Sequence, residues 1–292
     1  MDSLRRLLRN PLATAGLVIL IFFALVAVFA PYLAPPRNPA EPYRIPRSGF
    51  AVEPRPPSER FRFGTTEGQY DVFYGVVWGT RTAFGVALGV VGAAMTIGLV
   101  VGTLAGYYGG RFDELLMRVA DVVSAIPFLV AAVVMVAILG KGLGNVALAL
   151  ILFSWPPYAR LIRGSVLQVK SMEFVEAARA IGMSPVRIVL RHILPNAIYP
   201  VLVQASLEIG SVVVVFASLS FLGLGAEPGF ADWGQLTAFA RPWILGKPGQ
   251  PFAYWHTIFF PGMAILLFVL GWNLLGDGLR DVMDPRLRDH RK

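Results

Sequence analysis

Gln204, Glu208 and Ser211 interrupt an otherwise apolar stretch, with Gln204 and Glu208 one helical turn apart and Ser211 close to the same face. A proton relay through such a segment needs acids, bases or histidines in series, and a single Glu208 does not supply one. The set fits two readings equally: a polar patch lining a translocation path, or a hydrogen-bonded contact between helices. His192, His256 and His290 lie far apart and show no metal-ligand spacing, so no metal site is read here. The chain has no cysteine, which excludes disulfides, thiolate ligands and cysteine nucleophiles. No nucleophile and base face each other at the spacing an intramembrane enzyme requires, so there are no catalytic residues. Gly246-Lys247-Pro248 breaks the phosphate-loop pattern at once; a process that uses ATP must bind it, with its Mg, on another chain.

A second set of residues is mechanical. From Glu176 to Pro195 the chain forms a polar island between apolar segments. Glu176, Ala177, Ala178 and Ala180 favour helix, and Gly182 tolerates the positive φ that ends one. Ser184 before Pro185 reads as an N-cap followed by proline at the first helical position. Val186 to Leu190 restart a helix, and Leu194-Pro195 ends it. The predicted shape is helix, sharp bend, helix, with small alanines that let another surface approach. An ordinary connecting loop with two amphipathic helices satisfies the same geometry.

The elements that must position these residues are membrane spans. Of the 292 residues 55% are hydrophobic and 15% charged, and the mean hydropathy is +0.61; soluble domains carry roughly a quarter charged residues. Apolar segments run over 12–30, 82–107, 119–139, 146–162, 198–222 and 255–275, each near the roughly 20 residues that cross a bilayer. The proline-rich stretch over 31–64 should be extended and external. The fourth segment is short and holds Trp155-Pro156-Pro157, so it should be bent or partly unwound. Pro127 should kink the third, and Asp121 near its end should be solvated or capping. In the second, Gly85/Gly89, Gly98/Gly102 and Gly102/Gly106 are spaced for close helix approach, within the subunit or with a partner. With the first span running outward, 16 Lys and Arg fall inside and nine outside, which puts both termini and the polar island in the cytoplasm. The same bias accounts for the net charge of +8 without nucleic acid.

At the polar island the resemblance becomes specific. Glu176, Ala177, Ala178, Gly182, Leu194 and Pro195 are similar to the EAA loop of the membrane subunits of ABC importers. Gly106-Tyr-Tyr-Gly-Gly, Asp113-Glu-Leu-Leu-Met-Arg, Trp155-Pro-Pro-Tyr-Ala-Arg, Ser220-Phe-Leu-Gly-Leu-Gly and Asn273-Leu-Leu-Gly-Asp-Gly-Leu-Arg resemble the second permease subunit of dipeptide, oligopeptide and nickel importers. Two departures stand out. Relatives carry Glu where Phe216 stands, and Thr66, Gln69 and Tyr70 replace the family's Asp, Gly and Arg in the outer segment.

The resemblance implies an all-α polytopic membrane protein: six transmembrane helices in the type I ABC importer permease fold, with a cytoplasmic EAA coupling helix. Its expected parts are a first span over 1–33, an external loop over 34–77, a five-span permease core over 78–279 and a cytoplasmic tail over 280–292. It further implies a bacterial inner-membrane subunit, not itself an enzyme, for ATP-driven uptake of di- or oligopeptides. The implied partners are a second permease, two ATP-binding subunits or domains, and an external substrate-binding protein. Nickel, sugars or another small solute on the same architecture, peptide export, and secondary transport are the competing readings.

Overall fold

The computed structural model describes residues 10–283. Among them the chain is helical with no strands, only isolated bridge pairs. Five helices are long and apolar enough to cross a membrane, and a bent pair supplies a sixth span. They are α1 (Pro11–Leu33), α2 (Val72–Tyr108), the pair α3 (Gly110–Ala125) and α4 (Phe128–Leu139), α5 (Leu143–Lys170), α9 (Tyr199–Phe221) and α11 (Trp255–Met283). Between α5 and α9 lie α6 (Glu173–Ala180), α7 (Pro185–Ile188), a π turn over Val189–Ile193 and α8 (Leu194–Ala197); α10 (Trp233–Phe239) precedes α11. The tail over 284–292 and the three N-terminal arginines lie outside the described residues.

The longest helix departs from the expected second span. Asp71 caps α2 by accepting a hydrogen bond from the Tyr74 N–H at 3.1 Å, so the helix starts about three turns before the apolar run. Its 37 residues extend about 55 Å, well beyond a hydrocarbon core of roughly 30 Å. The first turns therefore stand among the loop segments, where Tyr74 and Trp78 bond to Pro42 and Ala34.

The glycine pattern in α2 separates into two stripes. A Cβ on Gly98 would lie 2.4 Å from Tyr158 Cβ, one on Gly102 would lie 2.1 Å from the Ala159 carbonyl oxygen, and one on Gly106 would lie 3.0 Å from the Arg163 carbonyl oxygen. This stripe is a backbone-to-backbone seam with α5, where dispersion and close packing replace the hydrophobic drive that lipid cannot provide. A Cβ on Gly85, Gly89 or Gly92 would meet nothing within 4 Å.

The seam runs beside the double proline of α5, where the sequence led one to expect a bend or partial unwinding. Pro156 and Pro157 have no N–H, so the carbonyls of Leu152 and Phe153 lose their ordinary helical donors. The helix nevertheless runs unbroken through 28 residues. Trp155, Pro156, Tyr158, Ala159 and Ile162 are all buried, on the side that meets the glycines of α2. The third span shows the opposite outcome. Pro127 forces Ile126 into extended backbone (φ −87°, ψ 127°), and α3 and α4 meet at 85°. The expected kink is a full break.

Leu194-Pro195 does not terminate the helix before α9. The backbone from Pro185 onward stays right-handed helical, and a π turn lets the Leu194 N–H reach the Val189 carbonyl. Pro195 then sits in the first turn of α8, where its fixed φ suits a helix start, while its missing N–H leaves a carbonyl of the preceding turn without its helical donor.

The proline-rich loop is irregular from Ala34 onward, apart from a short 3-10 turn over Glu67–Gln69, but its expected start is not: Pro31 to Leu33 continue α1 as helix. The loop is also tied down. Trp78 Nε1 donates to the Ala34 carbonyl at 2.8 Å, the Tyr74 hydroxyl to the Pro42 carbonyl at 2.6 Å, and the Ile45 N–H to the Gly229 carbonyl at 2.7 Å. His256 at the start of α11 is fully buried with Nε2 3.2 Å from the Thr65 carbonyl oxygen. Gln69 has φ +64°, a left-handed conformation that costs a non-glycine residue about 1–2 kcal/mol. Its side chain offsets that by donating to the Glu53 carbonyl at 2.6 Å. The left-handed backbone is a physical reason for glycine at the equivalent position of the resembling family.

Asp232 caps α10 by accepting from the Gly234 N–H at 2.9 Å and is buried; its second carboxylate oxygen lacks a hydrogen-bond partner, with the Ser220 hydroxyl beside it. Burial pushes its carboxyl up to about 6, against the opposing pull of Ser220 and the backbone N–H groups of Gly234 and Gln235.

Two outcomes follow. Gly102→Leu places a side chain inside the α5 backbone, so the variant should be lost from the folded, detergent-stable fraction in size-exclusion chromatography; normal recovery contradicts the seam. Because the native Asp232 holds its proton more tightly than the unfolded chain does, stability rises as pH falls from about 6 towards the ordinary carboxylate range, and above about 6 the buried charge is unfavourable. Asp232→Asn keeps a capping side chain and should raise Tm at pH 7.5 while flattening the profile between about pH 4 and 6. An unchanged Tm at pH 7.5 contradicts this.

Candidate functional site

The break in the third span opens a cavity of about 360 Å3. The hinge contributes Val123, Ser124, Ile126, Pro127 and Phe128; α5 contributes Phe153, Ser154 and Pro157; α9 contributes Glu208, Ser211, Val212 and Val215. The polar residues singled out in the fifth apolar segment are therefore partly brought together. Glu208 and Ser211 face the cavity, while Gln204 is absent from its wall and donates to Glu208 at 3.5 Å. Glu208 is the one ionisable residue lining it. Ser154, 7% exposed, has no hydrogen-bond partner. Sequence reasoning missed Ser154 and Ser124; the prolines beside them, Pro157 and Pro127, were the available signal. Phe216 is buried at 2% exposure in the protein core and does not line the cavity.

Below the cavity α5 grips its neighbours through three cations. Arg160 donates to the Ser124 hydroxyl at 2.8 Å and pairs with Asp121 at 3.2 Å. Asp121 is thus solvent-exposed and paired. Arg163 makes two parallel hydrogen bonds to Asp113, 2.5 and 2.6 Å, the geometry that locks a guanidinium to a carboxylate. Lys170 donates to the carbonyls of Gly106 and Tyr107 at the C-terminal end of α2, where a cation also meets the negative end of the helix dipole.

The polar island follows directly. Glu173 to Ala180 form α6, beginning three residues earlier than expected because Met172 takes the extended cap conformation. Gly182 has φ +77° and makes the bend, and its N–H donates to the Arg179 carbonyl at 2.9 Å. Ser184 occupies the cap position before Pro185, but its hydroxyl makes no capping bond; its carbonyl accepts from the Ile188 N–H instead. Glu176 and Ala177 are exposed, whereas Ala178 is buried at 4% against this chain's own core, so only Ala177 of the two alanines offers an outward face. Leu194 is half-buried and Pro195 exposed. Phe174, Ile181, Val186 and Leu190 stand exposed around the bend, Ile181 at 77%. Among the described residues no group of His, Asp and Glu could hold a metal ion.

A bundle of membrane helices with a central cavity, a broken span and an exposed helix–bend–helix is the architecture of a transport permease. Residues 98–289 match the family described as binding-protein-dependent transport system inner membrane component, and residues 1–46 match the N-terminal TM domain of oligopeptide transport permease C. The chain belongs to this family, the permease subunits of ABC importers. It is 37% identical to the dipeptide transport system permease protein of Bacillus subtilis, covering 98% of this chain and 86% of that one. It is 40% identical to the glutathione transport system permease protein of Pectobacterium atrosepticum, covering 97% and 90%. A chain of the inward-facing MetNI methionine ABC transporter superposes with a TM-score of 0.56 at 20% identity, covering 72% of this chain and 97% of that chain; this shows the fold alone.

Proposed function

We propose that the chain is one half of a paired permease that imports short peptides, driven by ATP hydrolysis on partner subunits. Two ATP-binding subunits or domains, with ATP and Mg, would act from the cytoplasm, and an external binding protein would deliver the cargo. Both termini would be cytoplasmic in a bacterial inner membrane. The single observation that carries this reading is continuity: α6 and the bend at Gly182 follow α5 after two residues, and α5 forms one wall of the cavity. Phe174, Ile181, Val186 and Leu190 form an apolar rim around Glu176 and Ala177, which fits a groove on an ATPase. Closure of the ATPase pair would draw α6 with it, and α5 would carry the motion to the cavity. Leu194 and Pro195 would set the entry into α9, the opposite wall. Gln204, Glu208 and Ser211 would belong to the translocation path.

The peptide cargo is drawn from the dipeptide and glutathione relatives. Gly182 supplies the test, because its positive φ disfavours any side chain although the space around it is open. Gly182→Val in the assembled complex should leave membrane insertion and ATPase binding intact and abolish the stimulation of ATP hydrolysis by loaded binding protein. Full stimulation in that variant would overturn the coupling role.

A further inference from the structure

We propose that the cavity is an ammonium site, in which Glu208 receives the positively charged amino terminus of the peptide in transit. The inference rests on the peptide-import reading and deepens it by assigning one end of the substrate to one wall. Among the residues lining the cavity there is no lysine, arginine or histidine. The Glu208 carboxylate has a long hydrogen bond from Gln204 and no ion-pair partner among the described residues. A carboxylate so placed in a membrane protein is costly until a cation meets it.

The rest of the wall is rich in acceptors. Ser154 has an unpartnered hydroxyl. The Phe153 carbonyl lacks its ordinary helical donor because Pro157 has no N–H, and both residues line the cavity. Ser211 adds a second hydroxyl. An ammonium group has three donors and no acceptor, which matches this set; a carboxylate or phosphate could take a hydrogen bond from the serine hydroxyls but would be repelled by Glu208, with no lining cation to offset it. Phe128 and Phe153 supply aromatic rings beside the same space, compatible with a cation. The Ser124 hydroxyl, by contrast, is occupied by Arg160, so the one nearby guanidinium stands at the hinge, paired with Asp121. The volume, about 360 Å3, falls within the roughly 300–1,000 Å3 of small-ligand sites.

The test uses the complete permease–ATPase complex in nanodiscs without binding protein, titrated with dialanine and with N-acetyl-dialanine. Wild type and Glu208→Asp should bind dialanine, and Glu208→Gln should bind it about tenfold or more weakly, the factor for losing one hydrogen bond to a charged group. N-acetyl-dialanine should bind weakly and without distinguishing the three. Ser154→Ala, which keeps the carboxylate, gives a second arm and should weaken dialanine severalfold. Equal dialanine affinity in wild type and Glu208→Gln, or a loss that N-acetyl-dialanine shows to the same degree, overturns the site. A wild-type complex that binds dialanine through Glu208 yet moves no peptide when its binding protein is added leaves the ammonium site standing and removes the peptide-import reading.

Discussion

The contact on which the rest of this structure depends is the glycine seam between α2 and α5. At Gly98, Gly102 and Gly106 the two backbones come close enough that one methyl group would overlap carbonyl or side-chain atoms. Lipid tails are as apolar as leucine, so helices in a bilayer gain little from simply hiding apolar surface; they gain from approach. The seam also runs beside two consecutive prolines. α5 stays one continuous helix of 28 residues, while the third span, with one proline, breaks at 85°. The cavity lies between this helix and the break.

The end of the seam nearest α6 is closed electrostatically. Lys170 meets the last carbonyls of α2, and Arg163 is held in a bidentate pair with Asp113 on α3. A force arriving at α6 would pass through Ser171 and Met172 into a helix already fastened to two others. On the opposite side the loop over 34–71 is bound to the start of α2, to the segment before α10 and to His256 on α11. This loop region is therefore continuous with the helices it covers. Exposed Phe50 and Leu245, at 90% and 88%, are its most prominent apolar features.

Much of this was legible in the sequence, because apolar runs of about 20 residues announce spans directly. The bend at Gly182, the irregular loop after α1 and the break near Pro127 were legible through glycine and proline chemistry. What escaped had long-range causes. The early start of α2 depends on Asp71 acting as a cap before a mixed polar stretch that hydropathy does not register. The close packing beside the two prolines of α5 comes from glycines some 50 residues earlier in the chain. Which glycine stripe packs inside the subunit cannot be read from spacing, since Gly85/Gly89 and Gly98/Gly102 look alike. Glu208 and Ser211 were visible, but their facing Ser154 across a cavity required the fold. Ala178 shows the same limit: its size predicted close approach, and only burial reveals that the approach is to its own bundle.

The account holds that α2 and α5 move as one body and that the transport cycle changes the spacing of α5 and α9. The natural absence of cysteine allows clean labelling, and Leu104, Leu167 and Leu202 on the three helices are all exposed. Pulsed electron spin resonance on the assembled complex would compare the Leu104→Cys/Leu167→Cys pair with the Leu167→Cys/Leu202→Cys pair, with and without ATP. The account predicts an unchanged first distance and a shifted second one. A nucleotide-dependent change across α2 and α5, with α5 and α9 fixed, would contradict it.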